Sequence, residues 1–270
     1  MKKRIIFHVD ANSAYLSWEA AYRLQRGETV DLRDIPSVIG GNEKSRHGIV
    51  LTKSIPAKKY KIQTGESLFS ARNKCPNLLV IPPNYTLYMQ CSNAMAEVLK
   101  KYSSITQRYS IDEIFLDYTN MEEHFGPPLT AAHQIKEEIK NSLGFTVNIG
   151  IGDNKLLAKM ASEFKKPDRV HTLFREEIQE KMWPLPVEEL FMVGRATAKK
   201  LYSRGINTIG DLARTDLGFL HSWLKSHGSV IWNYAHGIEN SAVRNNGFPM
   251  KGLGNSTTIP FDVEDRKTAH

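Results

Sequence analysis

The sequence predicts an α+β protein: a ferredoxin-like β-α-β-β-α-β sheet domain that carries a small insertion and is followed by an all-helical segment. Three observations carry this expectation. Short apolar runs of strand length alternate with amphipathic stretches of helical spacing up to residue 183. Beyond the break at Pro184 and Pro186 only helical spacing is found. With 41% hydrophobic residues in 270, the chain can bury more than one core.

The elements follow in order. Residues 4–9 read as a buried strand that delivers Asp10 into a tight turn, and residues 14–26 show helical spacing of Leu16, Ala20 and Leu24, ending at Gly27. Short strands at 38–39 and 48–51, a basic stretch with Lys53, Lys58, Lys59 and Lys61, and a helix at 68–73 form the inserted subdomain. A long amphipathic helix at 85–102, strands at 105–109 and 113–117, a helix at 130–143 and a strand at 146–152 complete the β-α-β-β-α-β order. A helix at 155–164 and a short strand at 169–172 precede the proline break, which marks a domain boundary near Pro184. Helices fill 187–236, and the Asn-, Gly- and Ser-rich stretch that follows reads as a linker over 241–270, running into a strand-like end without partners.

Composition narrows the function. A net charge of +7 and a pI near 9.2 favour a polyanionic partner. Cys75 and Cys91 are the only cysteines, without C-x-x-C spacing or a His cluster, so zinc and disulfides are not indicated and a reducing cytoplasm is expected. The apolar run at 5–9 is interrupted by His8 and stopped by Asp10, too short for a signal peptide or a membrane span. No membrane partner is expected.

Side chains alternate along a strand, so His8 and Asp10 share one face of the first strand. In the strand that begins at Glu113, Ile114 and Leu116 face the helices, which leaves Glu113, Phe115 and Asp117 on the open face with Asp10. Asp112 precedes Glu113 directly and joins the other two acids only if the backbone is irregular at the strand entry. Three gathered carboxylates repel one another unless divalent cations neutralise them, and oxygen-only ligation favours magnesium or manganese over zinc. An isolated acid at such a place is a helix cap or a solvated turn residue. The pairing on a ferredoxin-like sheet points instead to metal-dependent phosphoryl transfer.

The residues then match a known family. DANSAY at 10–15, SIDE at 110–113, NIGIGDNKLLAKMASEFKKP at 148–167 and the closing GLGNSTTIPFDVEDR together resemble a Y-family, translesion DNA polymerase, nearest in its D-x-N-x-x-Y spacing to the UmuC, ImpB, MucB and SamB branch, with DinB-like members related. The resemblance covers essentially the whole chain. It implies a palm at 1–30 and 78–183, fingers at 31–77, a helical thumb at 184–240, and a little-finger domain that begins where the sequence stops.

The same resemblance implies the site. Asp10 and Asp112 would bridge two Mg2+ ions, Mn2+ being the alternative, Glu113 would complete the site at the primer end, and the Ala11 carbonyl would ligate the nucleotide-side ion. Asn12, Ser13 and Ala14 would line the incoming dNTP, and Tyr15 falls at the steric-gate position, its alternative being a core tyrosine of an amphipathic helix. Lys166 matches a lysine that contacts the triphosphate. Where the fingers often carry Y-x-x-R, this chain has Ile55 and Lys58, which keeps the charge without the guanidinium fork, so Thr52 or Lys53 is expected to compensate. Primer-template DNA is the implied partner, with a sliding clamp engaged through the segment beyond the thumb.

Residues 187–213 resemble a helix-hairpin-helix, which presents backbone N–H groups to phosphates. Phe191 and Met192 stand where the hairpin usually carries Pro-Gly, and only Gly194 keeps the expected flexibility. Val193, Gly194, Arg195 and Thr197 are the expected phosphate contacts, with Lys199 adding salt-dependent affinity. Two other readings share parts of the pattern. A nucleotide cyclase has the two-metal carboxylates but no reason for a hairpin motif or a basic charge. A non-catalytic DNA-binding homologue has no reason to keep all three acids.

Overall fold

Six consecutive buried residues form the first strand, β1 (Ile6–Ala11), and His8 and Asp10 are drawn inside with their apolar neighbours. The structure, a computed structural model, describes residues 4–41 and 48–244, with 252, 254, 256, 259 and 261–267. After β1 come α1 (Ala14–Gln25), β2 (Ser37–Gly40), β3 (Val50–Lys53), α2 (Ile55–Lys59), α3 (Leu68–Lys74), β4 (Leu79–Ile81), α4 (Tyr85–Lys100), β5 (Thr106–Arg108) and β6 (Glu113–Asp117). The chain continues through α5 (Glu122–Phe125), α6 (Pro128–Leu143), β7 (Val147–Gly152), α7 (Lys155–Glu163) and β8 (Val170–Leu173). Short 3-10 and π turns then lead into α8 (Arg195–Tyr202), α9 (Ile209–Arg214), α10 (Leu217–Leu224) and α11 (Ser226–Ala235).

By contacts the described residues fall into two compact units, one within Met1–Asn12 and Ser92–Asn246, the other within Ser13–Cys91 and Gly247–His270. These units divide the chain at places other than the palm, fingers and thumb limits expected from the sequence.

The first unit is built on a five-stranded sheet in the order β5-β6-β1-β7-β8. Among the first four strands each neighbouring pair is antiparallel, and β8 lies parallel to β7. The order β1, α4, β5, β6, α6, β7 is the expected ferredoxin-like sequence of elements, extended by α7 and β8 as one more parallel crossover. Helix α6 packs on β7 and β8, and α7 packs on β1, β7 and β8. They take opposite faces. Gly150 and Gly152 point at α7, and a Cβ on Gly150 would lie 1.9 Å from the Ala158 carbonyl oxygen.

This corrects one expectation. The face that carries His8 and Asp10 is not open, because α7 covers it and leaves His8 fully buried and Asp10 only 7% exposed. The covering helix was visible in the sequence, but its landing place depends on two glycines that accept the close approach.

The helical segment does not form a core of its own. Val187, Leu201, Ile209, Leu212, Leu220 and Ile231 join Leu156, Leu157 and Met160 of α7 in one continuous buried cluster. The start of the expected linker is also packed: Val243 is buried against Ile6, Phe115 and Ala158, and Arg4 donates to the Ser241 carbonyl.

The second unit holds a three-stranded sheet, β3-β2-β4, with β3 antiparallel and β4 parallel to β2. Its core is Val38, Val50, Ala57, Ile62, Leu68, Ala71, Cys75 and Leu78. Ser54 caps α2 by accepting from the Ala57 N–H, and Ser67 caps α3 by accepting from Ser70. Two elements here were not expected. β4 is three residues long, too short for alternation to show, and α2 lies inside the stretch read only as basic.

Candidate active site

Antiparallel pairing sets Asp10 directly opposite Glu113 and His8 opposite Phe115. Directly paired residues point to the same face, so the two carboxylates meet as the alternation requires. Asp112 stands in a bend just before β6. There the N–H groups of Tyr109 and Ser110 both donate to the Glu113 carbonyl, at 2.9 and 3.2 Å, an extra residue against one partner in the manner of a bulge. The irregular backbone expected at this strand entry is present. The Ser110 hydroxyl lies 2.6 Å from Asp112 Oδ1 and 3.1 Å from Glu113 Oε2, spanning the two neighbouring acids. The Asp112 carbonyl accepts from the Ala11 N–H at 3.0 Å, which ties this turn to the end of β1.

Cations already answer the acids. Lys166 Nζ bonds Asp10 Oδ2 and, at 2.8 Å, Glu163 Oε1, while Lys159 Nζ bonds Glu113 Oε1. Burial pushes the Asp10 carboxyl up to about 7 against the pull of Lys166. Burial opposes the charge on Lys166 as well, but Asp10 and Glu163 outweigh it and raise the ammonium above its ordinary value. For Glu113 burial is overcome by His8 and Lys159, and the carboxyl falls to about 2.

Behind Glu113, His8 Nδ1 lies 2.8 Å from the Ser162 hydroxyl, whose own hydrogen goes to the Lys159 carbonyl at 2.7 Å. His8 Nε2 stands 3.4 Å from Glu113 Oε1, and burial depresses the pKa of the ring.

The ligand oxygens drawn most closely together are those of Asp10, Glu113 and Glu163, all within 4.8 Å of one another. Glu163 had no expected role, and Asp112 is not in that group. The acid is half-exposed and already engaged by Lys166, so its position is that of an anchor for the lysine.

Asn12 is tied into the protein. Its side-chain oxygen accepts from Thr146 Oγ1 at 3.0 Å and from the Asp168 N–H at 2.9 Å, and its amide donates to Asn148 Oδ1 at 3.2 Å. Asn148 in turn donates to the Ser162 and Lys165 carbonyls. Both amides therefore hold residues 165–169, the loop that presents Lys166. Asn148, Ser110, Lys159 and His8 carried no sequence-level role. The signal for Asn148, Ser110 and Lys159 was membership of the quoted motifs, and for His8 its place on the Asp10 face of the first strand, because what each does is set by partners distant in the chain.

In the second unit, Ser13 opens α1 in the left-handed region, φ 48° and ψ 48°, without a side-chain cap, and Ala14 is buried. Tyr15 stacks on Tyr88 with centroids 4.4 Å apart and planes 8° apart, and meets Tyr85 edge-on at 6.2 Å. Thr52 lies on β3 opposite Ile39, and Lys58 lies on α2 near enough to Lys53 to help burial depress that ammonium's pKa. Ile55 is 51% exposed at the start of α2.

In the helical segment, Gly194 caps α8 with no side-chain hydrogen bond. It sits at φ −83°, an ordinary value, and the left-handed residue of the hairpin is instead Met192 at φ 74°. The glycine-like position is thus two residues before the expected one. Val193 is buried, whereas Arg195, Thr197 and Lys199 stand on α8 at or near its N-terminal end.

A family model described as impB/mucB/samB matches residues 9–163, and one described as the IMS family HHH motif matches residues 175–206. The DNA polymerase IV of Clostridium acetobutylicum is 52% identical over 271 residues, an alignment that covers 99% of this chain and 67% of that protein. The crystal structure of DinB from Sulfolobus solfataricus superposes with a TM-score of 0.78 at 25% identity, covering 89% of this chain and 69% of that one. A chimeric Y-family DNA polymerase shares the fold, with a TM-score of 0.80 at 24% identity over 90% of this chain and 70% of its own. This chain spans about two thirds of the length of its curated relatives. No helix among the described residues is long and apolar enough to cross a membrane. On these matches the chain belongs to the impB/mucB/samB family of Y-family DNA polymerases.

Proposed function

We propose that this chain is the catalytic part of a translesion-type DNA polymerase that works in the cytoplasm, adding dNMP to a primer 3′ end at Asp10, Asp112 and Glu113. The observation that carries the reading is the direct pairing of Asp10 with Glu113 beside a bulged turn that holds Asp112. The donors are hard oxygens, and Lys159 and Lys166 already sit on two of the carboxylates, so the cluster suits two Mg2+ ions, or Mn2+, held by Asp10, Asp112, Glu113 and the Ala11 carbonyl. Bound there, such ions lower the pKa of a primer hydroxyl and stabilise the leaving pyrophosphate.

The chain's own groups do the rest. Ser110 spans Asp112 and Glu113, and the Asn12–Asn148 pair holds the loop from which Lys166 meets triphosphate oxygens. Ser13, Ala14, Tyr15, Thr52 and Lys58 take the nucleotide roles given by the family motif, Tyr15 as the gate against a 2′ hydroxyl. Val193, Gly194, Arg195 and Thr197 meet DNA phosphates at the start of α8, with Lys199 adding charge. In these terms the palm is 1–30 and 78–183, the fingers 31–77 and the thumb 184–240.

The test is primer extension with magnesium on undamaged and lesion-bearing templates, using the chain extended to the length of its relatives. Asp10→Asn, Asp112→Asn and Glu113→Gln should each lower incorporation by about a thousandfold or more while DNA affinity stays within about threefold. Absence of incorporation by the unmutated protein would leave a DNA-binding homologue without catalysis.

A further inference from the structure

Residues 165–169 join α7 to β8 and carry Lys166. Their backbone is tied down on either side of that lysine. The Lys165 carbonyl accepts from Asn148 Nδ2 at 2.8 Å, and the Asp168 and Arg169 N–H groups donate to Asn12 Oδ1 at 2.9 Å and to Asn148 Oδ1 at 3.2 Å. The Asp168 side chain makes a separate attachment. Lys136 Nζ lies 2.8 Å from its Oδ1 and Lys140 Nζ 3.4 Å from its Oδ2, both reaching it from α6. Asp168 stands in the left-handed region at φ 59°, which a short polar residue tolerates. Since α6 and α7 take opposite faces of the sheet, the loop is anchored to α6 as well as to the residues beneath α7.

The charge on Lys136 is out of the ordinary in its burial. It is 7% exposed, and among the described residues no other lysine or arginine is buried. Burial opposes the charge, but Asp168 and Glu137 outweigh it and raise the ammonium above its ordinary value. Burial opposes the charge on Asp168 too, and Lys136 and Lys140 overcome it and hold the carboxyl below its ordinary value. Glu137 is the exposed neighbour of Lys136 on the same helix, so Asp168 is the partner through which the pair ties α6 to another part of the chain. A pair drawn out of water is also screened less by salt than an exposed one.

We propose that the Lys136–Asp168 ion pair is a positioning element for Lys166, through which α6 sets the affinity for an incoming triphosphate. This role rests on the reading of Lys166 as a triphosphate contact. Lysine is a point charge on a flexible stem, so where its backbone starts decides which oxygens it can reach. A displacement of ~1 Å in a positioning group can cost up to about a hundredfold. Loss of the α6 anchor leaves the three backbone hydrogen bonds in place, which loosens the loop without unfolding it, so a smaller effect is expected. A weaker grip on the triphosphate raises KM and leaves kcat in place.

The experiment is single-nucleotide incorporation by the chain extended to the length of its relatives, with KM for the dNTP and kcat measured separately. Lys136→Met and Asp168→Asn should each raise KM at least about fivefold with kcat within about twofold. The double variant should lie within about twofold of the worse single one, because both changes remove one interaction. Met keeps the buried stem and Asn tolerates the left-handed turn, and circular dichroism and thermal melting check that each variant folds. In the metal-free protein, hydrogen exchange at the 168 and 169 amides should quicken at least about fivefold in Lys136→Met. Lys166→Met separates the two readings. If it raises KM while Lys136→Met and Asp168→Asn do not, the role of the pair is overturned and Lys166 remains a triphosphate contact. If it leaves KM unchanged, or the unmutated protein incorporates nothing, that contact is lost and the proposal with it. Unchanged amide exchange, additive losses in the double variant, or a kcat that falls as much as KM rises each overturn the proposal as well.

Discussion

Asp10 is 7% exposed, and its neighbouring cation is Lys166, 156 residues away in the chain. Burial lifts its carboxyl to about 7, whereas in the unfolded chain it titrates near 3.9. Between roughly pH 4 and pH 7 the native state therefore holds a proton that the unfolded state has released, and stability is lost as pH rises through that window. Asp10→Asn removes the buried charge, and Lys166 keeps Glu163 as a partner. In urea titrations of the metal-free protein, the substitution should add about 1–2 kcal/mol at pH 8, with the gain fading toward pH 4. An equal effect at both pH values would mean that burial of the charge is not the cause. The same residue marks what the sequence made legible. Strand alternation put Asp10 and Glu113 on one face, and the pairing agrees. Alternation carries no information about Lys159 or Lys166, which reach the acids from α7 and from the loop after it.

Helix α7 lies where it does because β7 carries no side chain at Gly150. A Cβ there would lie 1.9 Å from the Ala158 carbonyl oxygen and 2.4 Å from the Ser162 nitrogen, both backbone atoms that cannot rotate away. Gly150→Ala must push α7 off the sheet, and with it Ser162, Lys159 and the support behind Glu113. A loss of about 3 kcal/mol or more is expected by denaturant unfolding, and a loss below about 1 kcal/mol would show that the helix can shift freely. The hairpin before α8 predicts the opposite sign. Met192 is 52% exposed at φ 74°, a conformation disfavoured for any residue with a Cβ. Met192→Gly should raise stability by about 0.5–1 kcal/mol, because relief of strain exceeds the small packing loss and the added freedom of the unfolded chain. The sequence showed that a hairpin stood here, yet it pointed to Gly194 as the flexible residue. Composition names the residues able to adopt a left-handed turn, and only the chain path decides which residue must.

At the scale of the molecule, the order of strands and helices in the sheet unit was legible because each long element has its own periodicity. The extent of the core was not. Pro184 and Pro186 interrupt the local pattern and suggest a boundary, but a proline break reports a change of chain direction, while a core is defined by which apolar faces meet. Here Leu156, Leu157 and Met160 of α7 share one buried cluster with Leu201, Leu212, Leu220 and Ile231 of the helical segment. Two segments with a common core lose their packing together, so stability should be coupled across the proline break. Ile231→Ala removes a fully buried side chain from α11 at a cost of about 2–4 kcal/mol. If the core is one cooperative body, native-state hydrogen exchange will show protection falling by a similar free energy at α7 amides as at α9 and α11 amides. A helical segment that unfolded independently would lose protection in α9 and α11 alone and leave α7 unchanged. That result would place a boundary at Pro184. The coupled result would instead tie the segment proposed to hold DNA to the helix that carries Lys159, through packing alone.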